Sequence, residues 1–299
     1  HGPGRNPTSL PQMIIIVGAL IVLGSVIGGF VMAGGYVSSL LHLSEFVVIG
    51  GSALGALVIM SPKKILVDLA HGIATAFKGS PYTKTSYDDL FKLLYELFML
   101  SRRNGMIALE EHVSNPESSS IFTKYPGVLK NKHAVAFLCG GLRPIIDGKV
   151  KPEQLQSLLD AELDRMETDH HAPISVLTKT ADAMPGFGIV AAVLGIVITM
   201  GSIAGPIDEI GHKVGAALVG TFLGIFISYG FMNPLAVNME FLGAAETDYS
   251  RCIATCVTAF ANGMAPLTAC EIGRRGLSND LRSSADELEE MLKSAAQSK

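Results

Sequence analysis

Two long stretches of this chain combine hydrophobic length with a sparse set of polar atoms of the kind that lets an ion pass. From Ala183 to Ile207, and again from Val214 to Met239, there is no Asp, Glu, Lys, Arg or His. Their polarity comes chiefly from Thr199, Ser202, Thr221, Ser228, Tyr229 and Asn233. Hydroxyls on a helix ordinarily bond back to the preceding turn, so alone they define no site. Pro185 and Pro234 add a second feature. Each lacks a backbone N–H and frees the carbonyl four residues before it. Taken singly, either proline is helix punctuation. As a pair at one side of a membrane, flanking Gly-rich runs, they suit a jointed or gating element. A charge at mid-bilayer is costly and normally marks a relay, and these two runs offer none. The chemistry they imply is an ion pathway whose titrating group is elsewhere.

Other chemistries find little support. There is no GxxxxGK, HExxH or GxSxG string and no dinucleotide-binding GxGxxG, so no catalytic residue is assigned and an enzyme is not expected. His170–His171 reads as the solvated end of an acidic helix rather than as metal ligands. Cys139, Cys252, Cys256 and Cys270 form no CxxC pair or zinc spacing, and reduced thiols are expected. Neither a metal nor a cofactor is implied. A net charge of −4, with no basic patch interleaved with aromatics, gives no reason to expect nucleic-acid binding.

The elements that must position these residues are membrane spans. The chain has 299 residues, 48% of them hydrophobic, and a mean hydropathy of +0.39, more apolar than a typical soluble domain. About 20 apolar residues cross a bilayer core. Besides the two stretches above, Met13–Met32 is an uninterrupted apolar run, and Phe46–Pro62 is a shorter one near the lower limit for a span. The first run is too long for a signal-peptide core and is followed at once by a second. Residues 1–12 are expected to be disordered or a remnant of processing or expression, with Met13 the expected native start.

Charge is concentrated outside the spans. Of 23 Lys and Arg, 15 lie between Ser61 and Ala183 and 6 after Met239. The connectors Ala33–Glu45 and Ser202–Lys213 are almost without basic residues, whereas Lys63, Lys64 and Lys179 flank the long insert. The positive-inside rule then places that insert and both termini in the cytoplasm. The expected fold class is an all-α integral membrane protein with four transmembrane helices. Its organisation is spans 1 and 2 over 13–62, a cytoplasmic helical insert over 63–182, spans 3 and 4 over 183–239, and a helical cytoplasmic tail over 240–299.

Helices are also expected within the charged regions. Thr85 or Ser86 can cap one whose first turn holds Asp88 and Asp89, with Leu90, Leu93, Leu94, Leu97 and Phe98 on its apolar face. Gly105 is expected to loosen it, and Asn115–Pro116 to stop the helical segment beyond that glycine. Pro152 suits a first helical position, followed by Leu155, Leu158, Leu159 and Leu163. In the tail, Ser278 or Asn279 can start an amphipathic helix carrying Leu281, Leu288 and Leu292. Gly24-xxx-Gly28 and Gly220-xxx-Gly224 permit close helix approach without naming a partner.

Several long strings, each at its expected topological place, resemble one family. DAMPGFGIVAAVLGIV, GAALVGTFLGIFISYGFMNPLA, SRRNGMIALEEHVSNPESS, GGFVMAGGY and SPYTK are similar to segments of the MotA subunits of the bacterial flagellar stator, in the MotA/TolQ/ExbB group. The likeness runs from Met13 across essentially the whole chain.

The resemblance implies a pentameric ring around a dimer of MotB, whose single span supplies a proton-accepting Asp, in the bacterial inner membrane. It implies the proton motive force as energy source and torque applied to the rotor protein FliG. The family's two functional prolines match Pro185 and Pro234. Its rotor-contacting pair matches Arg102 and Glu110, with Arg103 and Glu111 beside them as competitors. Sodium-driven relatives resemble this chain but carry extra threonines at the places of Ala192 and Gly220, whereas here only Thr221 remains, so protons are expected. A sodium-driven stator, a three-span TolQ- or ExbB-like energiser and a passive scaffold are the alternatives.

Overall fold

The computed structural model describes residues 10–201 and 203–297. The expectation for the extreme N-terminus therefore falls mostly outside the described residues. Within them the chain is entirely helical, with no strand and twelve α-helices. Four helical stretches are long and apolar enough to cross a membrane: Ile14–Met32, Val37–Met60, Pro152–Met200 and Ile207–Ala261.

Two compact units share the chain. The first comprises residues 1–80 and 169–242, the second residues 81–168 and 243–299. The first unit contains α1 (Leu10–Met32), α2 (Leu43–Met60) and α3 (Lys63–Lys78). It also holds the later part of α8 (Pro152–Met200), α9 (Ile207–Ile227) and the start of α10 (Asn233–Ala261). Along α1, α2 and α8 many apolar side chains face outward; Ile189, Val193, Val197 and Ile198 on α8 are all more than half exposed. Such surfaces suit a hydrocarbon solvent, not water. Inside, Ile49 and Ala53 of α2 meet Met184 and Ala191 of α8 and Val219 and Leu223 of α9.

The second unit is a water-soluble type of core. Leu90, Leu93, Leu94, Leu97 and Phe98 of α4 (Lys84–Asn104) are fully buried, together with Leu155, Leu159 and Leu163 of α8 and Leu288 and Leu292 of α12 (Ala285–Gln297). Phe98 stacks on Phe260 with ring centroids 4.2 Å apart. Leu158, by contrast, lies on the exposed side of its helix. The short helices α5 (Glu110–Ser114), α6 (Pro126–Lys130) and α7 (Lys132–Ile146), with α11 (Pro266–Arg275), complete this unit.

Several helix ends differ from expectation. The cap of α4 is Thr83, not Thr85 or Ser86: its Oγ1 accepts from the Ser86 N–H at 3.4 Å, and the Ser86 Oγ accepts from the Thr83 N–H at 2.8 Å. This reciprocal box satisfies two otherwise unpaired donors. Gly105 ends α4 outright, at φ +84, a conformation other residues avoid. α12 starts at Ala285 behind a second reciprocal box between Ser284 and Glu287, which leaves Leu281 outside it. The largest departure is α8. It begins at Pro152 as expected, then runs 49 residues without a break through Pro173 and Pro185. His170–His171 therefore lies in mid-helix and not at a helix end.

Candidate functional site: the α8–α9 pair

Spans 3 and 4 approach each other through glycine. A Cβ on Gly188 would lie 2.8 Å from the Gly220 carbonyl oxygen and 3.2 Å from the Thr221 Cα. One on Gly224 would lie 2.6 Å from the Met184 carbonyl oxygen, and one on Gly195 2.7 Å from the Ala217 Cβ. Small residues at such crossings let backbones touch where hydrophobic association is absent. The Gly220-xxx-Gly224 motif thus serves contact with span 3 of the same chain. Gly24 and Gly28 of α1 face open space in this chain.

Pro185, Gly188 and Ala192 recur at helical spacing and share one face of α8, as Thr221, Gly224 and Ser228 do on the α9 side. Ala192 lies beside Gly220, whose added Cβ would be 3.4 Å from the Ala192 backbone nitrogen. Pro185, Ala192 and Thr221 are each partly exposed, while Pro234 is exposed. The structure therefore brings Pro185, Ala192 and Thr221 to one helix pair. Pro234 stands beyond it, one residue after Asn233, whose Nδ2 reaches the Asp182 carboxylate at 3.5 Å.

Each proline has a structural consequence. Pro185 provides no N–H to the Ala181 carbonyl. That carbonyl instead accepts from the Ser228 Oγ at 2.6 Å, and both residues are fully buried. Pro234 likewise frees the Gly230 carbonyl. The five residues before α10, Ser228–Met232, adopt a π turn in which the Asn233 N–H donates to the Ser228 carbonyl. Such local π adjustments help re-satisfy backbone groups that a proline frees in a membrane helix. Ser228 thus meets span 3 at the carbonyl that Pro185 frees, and Pro234 follows the π turn that Ser228 opens. Thr199 behaves as an ordinary helical hydroxyl, donating to the Gly195 carbonyl at 2.8 Å.

The charge-free reading of this wall needs a correction. Glu45 lies in the first turn of α2 and is 7% exposed. Its Oε2 has no hydrogen-bond partner and occupies the space above Gly220, where a Cβ would come within 2.6 Å of it. By position Glu45 closes the connector Ala33–Glu45 and lies outside the two charge-free runs of spans 3 and 4. The signal in the sequence was its isolation: it is the sole Asp, Glu, Lys or Arg between Arg5 and Lys63.

In the second unit, Arg102 and Arg103 occupy the last turn of α4, and Glu110 and Glu111 open α5. All four are exposed, and none makes an ion pair among the described residues. Ile107, between the two charged pairs, is 75% exposed. The four cysteines are buried and unbridged. Burial pushes the Cys139 thiol up to about 11, so it is unreactive. No cluster of His, Cys, Asp or Glu suited to a metal occurs among the described residues.

Comparison with known proteins fits this arrangement. Residues 16–105 match a family model described as Motility protein A N-terminal, and residues 130–240 match the MotA/TolQ/ExbB proton channel family. A Motility protein A of Salmonella typhimurium is 39% identical over 278 residues, covering 93% of this chain and 94% of that protein. A chain in the structure of C. jejuni MotAB has a TM-score of 0.75 at 20% identity, covering 90% of this chain and 96% of that one. A chain of the flagellar MotAB stator complex from Bacillus subtilis gives 0.72 at 24% identity, over 89% and 96%. At these identities the structural likeness carries the fold.

Proposed function

The chain belongs to the Motility protein A family, within the MotA/TolQ/ExbB proton channel group, and from that premise we propose that it is the ring subunit of a proton-driven flagellar stator. With a MotB-type partner it forms a transmembrane ion path and turns ion flow into torque on the rotor protein FliG. Five copies surround a dimer of that partner in the inner membrane, with both termini in the cytoplasm. The proton motive force is the energy source.

The α8–α9 pair carries this reading. Two apolar spans pack glycine to glycine and are jointed at Pro185 and Pro234, with Thr221 the hydroxyl left on the shared face. Such a wall can bend when a partner's carboxylate gains or loses a proton. Sodium requires several oxygen ligands in place of its water shell. Ala192 offers none, and at Gly220 a side chain would collide with the Glu45 Oε2 and with the Ala191 Cβ, 3.0 Å away. Both features favour protons.

Arg102 and Glu110 are proposed as the rotor-facing pair. Their exposure suits a contact that forms and breaks at every step, since exposed charge pairs contribute only about 0.2–1 kcal/mol each. The Motility protein A N-terminal match and the four candidate spans argue against a three-span energiser.

The test is complementation. Cells lacking a stator, supplied with this chain and a MotB-type partner, should swim in sodium-free medium. Pro185→Ala or Pro234→Ala should assemble at the motor without turning it. Normal swimming by both proline variants would remove the jointed ion path from the account.

A further inference from the structure

A nearly fully buried carboxyl with one oxygen unpartnered is the feature the proposed function leaves unused. The acid could serve only to complement the amino end of α2, where a negative charge is favourable. An exposed first-turn acid would do that equally well, yet Glu45 is turned inward against the α8–α9 pair. Carboxylates are expensive to bury without full hydrogen bonding, and inside a membrane protein such groups mark ion or proton routes.

The surroundings restrict the role further. Gly220 of α9 and Ala191 and Ala192 of α8 stand at this point without ionisable groups, and the apolar residues of α2, α8 and α9 pack beneath them. The nearest charged residues of α9, Glu209 and Lys213, pair with each other at 2.7 Å about two turns before Gly220. The titratable neighbour of Glu45 is the half-buried His42, just ahead of α2, and Ser44 is its hydrogen-bonding companion. Among the described residues Glu45 makes no ion pair of the kind that holds a structural salt bridge.

We infer that Glu45 is a proton-relay carboxyl contributed by this chain, set on the Gly220 face of the ion path and approached from the His42 side. Its carboxylate takes a proton from a hydronium ion arriving along the water there, leaving that water neutral, and becomes the neutral acid. It then releases that proton to the next acceptor inward, a water or the partner's carboxylate, and returns to the anion. Gly220 has no side chain because the relay oxygen occupies that space. This inference rests on the ion-path reading of the α8–α9 pair.

The experiment uses the full chain assembled with its MotB-type partner in stator-less cells. Wild type, Glu45→Gln and Glu45→Asp are compared for motor localisation, rotation speed in sodium-free medium, and the dependence of speed on external pH. Glu45→Gln keeps the shape of the side chain and removes the exchangeable proton; it should localise normally and lose at least tenfold in speed. Glu45→Asp should recover rotation with a displaced pH profile. Wild-type speed with a wild-type pH profile in Glu45→Gln would overturn the relay. Should Glu45→Gln fail to localise, the Glu45→Asp profile decides: a displaced profile supports the relay, and an unchanged one overturns it. A wild type that turns only with sodium would instead overturn the proton reading itself, so the two failures are distinct.

Discussion

Replacing Ser228 with alanine should separate the joint between the spans from ordinary helix packing. The Ser228 Oγ donates to the Ala181 carbonyl at 2.6 Å, and neither residue is exposed. Because Pro185 has no N–H, that hydroxyl is the donor that replaces the missing helical one. Removing it leaves a buried acceptor unsatisfied, at a cost of about 1–3 kcal/mol. Thr199→Val, which keeps the volume of this buried side chain, provides the contrast. The Gly195 carbonyl keeps its helical N–H when the Thr199 hydroxyl is lost, so the change should be much smaller. The assay is a denaturation series on the detergent-purified complex, run as a double-mutant cycle with Pro185→Ala. Alanine at 185 restores an N–H for the Ala181 carbonyl, so Ser228→Ala should then cost almost nothing. Equal losses with and without Pro185 would refute the argument, because the hydroxyl would then matter for some other reason.

Other outcomes are expected from the same structure. Gly224→Ala places a Cβ 2.6 Å from the Met184 carbonyl oxygen; it should destabilise the complex by about 1–3 kcal/mol on the same denaturation series. Gly28→Ala, which meets nothing within this chain, should leave the chain's own stability unchanged. Charge reversal at Arg102 and at Glu110, singly and together, should reduce motility while circular dichroism stays native, because both side chains are exposed; unaffected swimming would remove the rotor-contact assignment. Hydrogen bonds from Arg274, reinforced by Arg275, hold Glu271 down at about 2. A depressed carboxyl stabilises the fold above its unfolded value and loses that contribution as pH falls through the folded one. Acid titration of wild type should therefore show weakening between about pH 4.5 and 2, and Glu271→Gln should be less stable at neutral pH with a shallower acid transition.

Much of the fold could be read from the chain because each span is a long apolar run and each flank carries charge. The starts of α4 and α12 lie a few residues from the expected ones for a local reason. Thr83, Thr85 and Ser86, like Ser278 and Ser284, all offer capping hydroxyls, and only reciprocal pairing with the residue three positions on selects one. The continuity of α8 was hidden by Pro173 and the adjacent histidines. A proline removes one hydrogen bond, and packing of Ile174 and Leu177 against Leu69 and Met239 outweighs that loss. The glycine face at Gly188, Gly195, Gly220 and Gly224 was only half legible: spacing showed that something approaches closely, but not that it is the neighbouring span. Ser228 looked like any helical hydroxyl, because its partner Ala181 is 47 residues away. The burial of Glu45 is hidden from the sequence for the same reason. Its burial depends on contact with α9, and no local pattern encodes that contact.

The central claim is that this chain converts proton flow into rotation. The most direct measurement is the speed of single motors driven by this chain and a MotB-type partner in sodium-free medium, while the proton motive force is lowered stepwise with an uncoupler. Rotation should persist without sodium and slow in step with the proton motive force. Rotation that stops when sodium is withdrawn, or a speed indifferent to the uncoupler, would contradict the account.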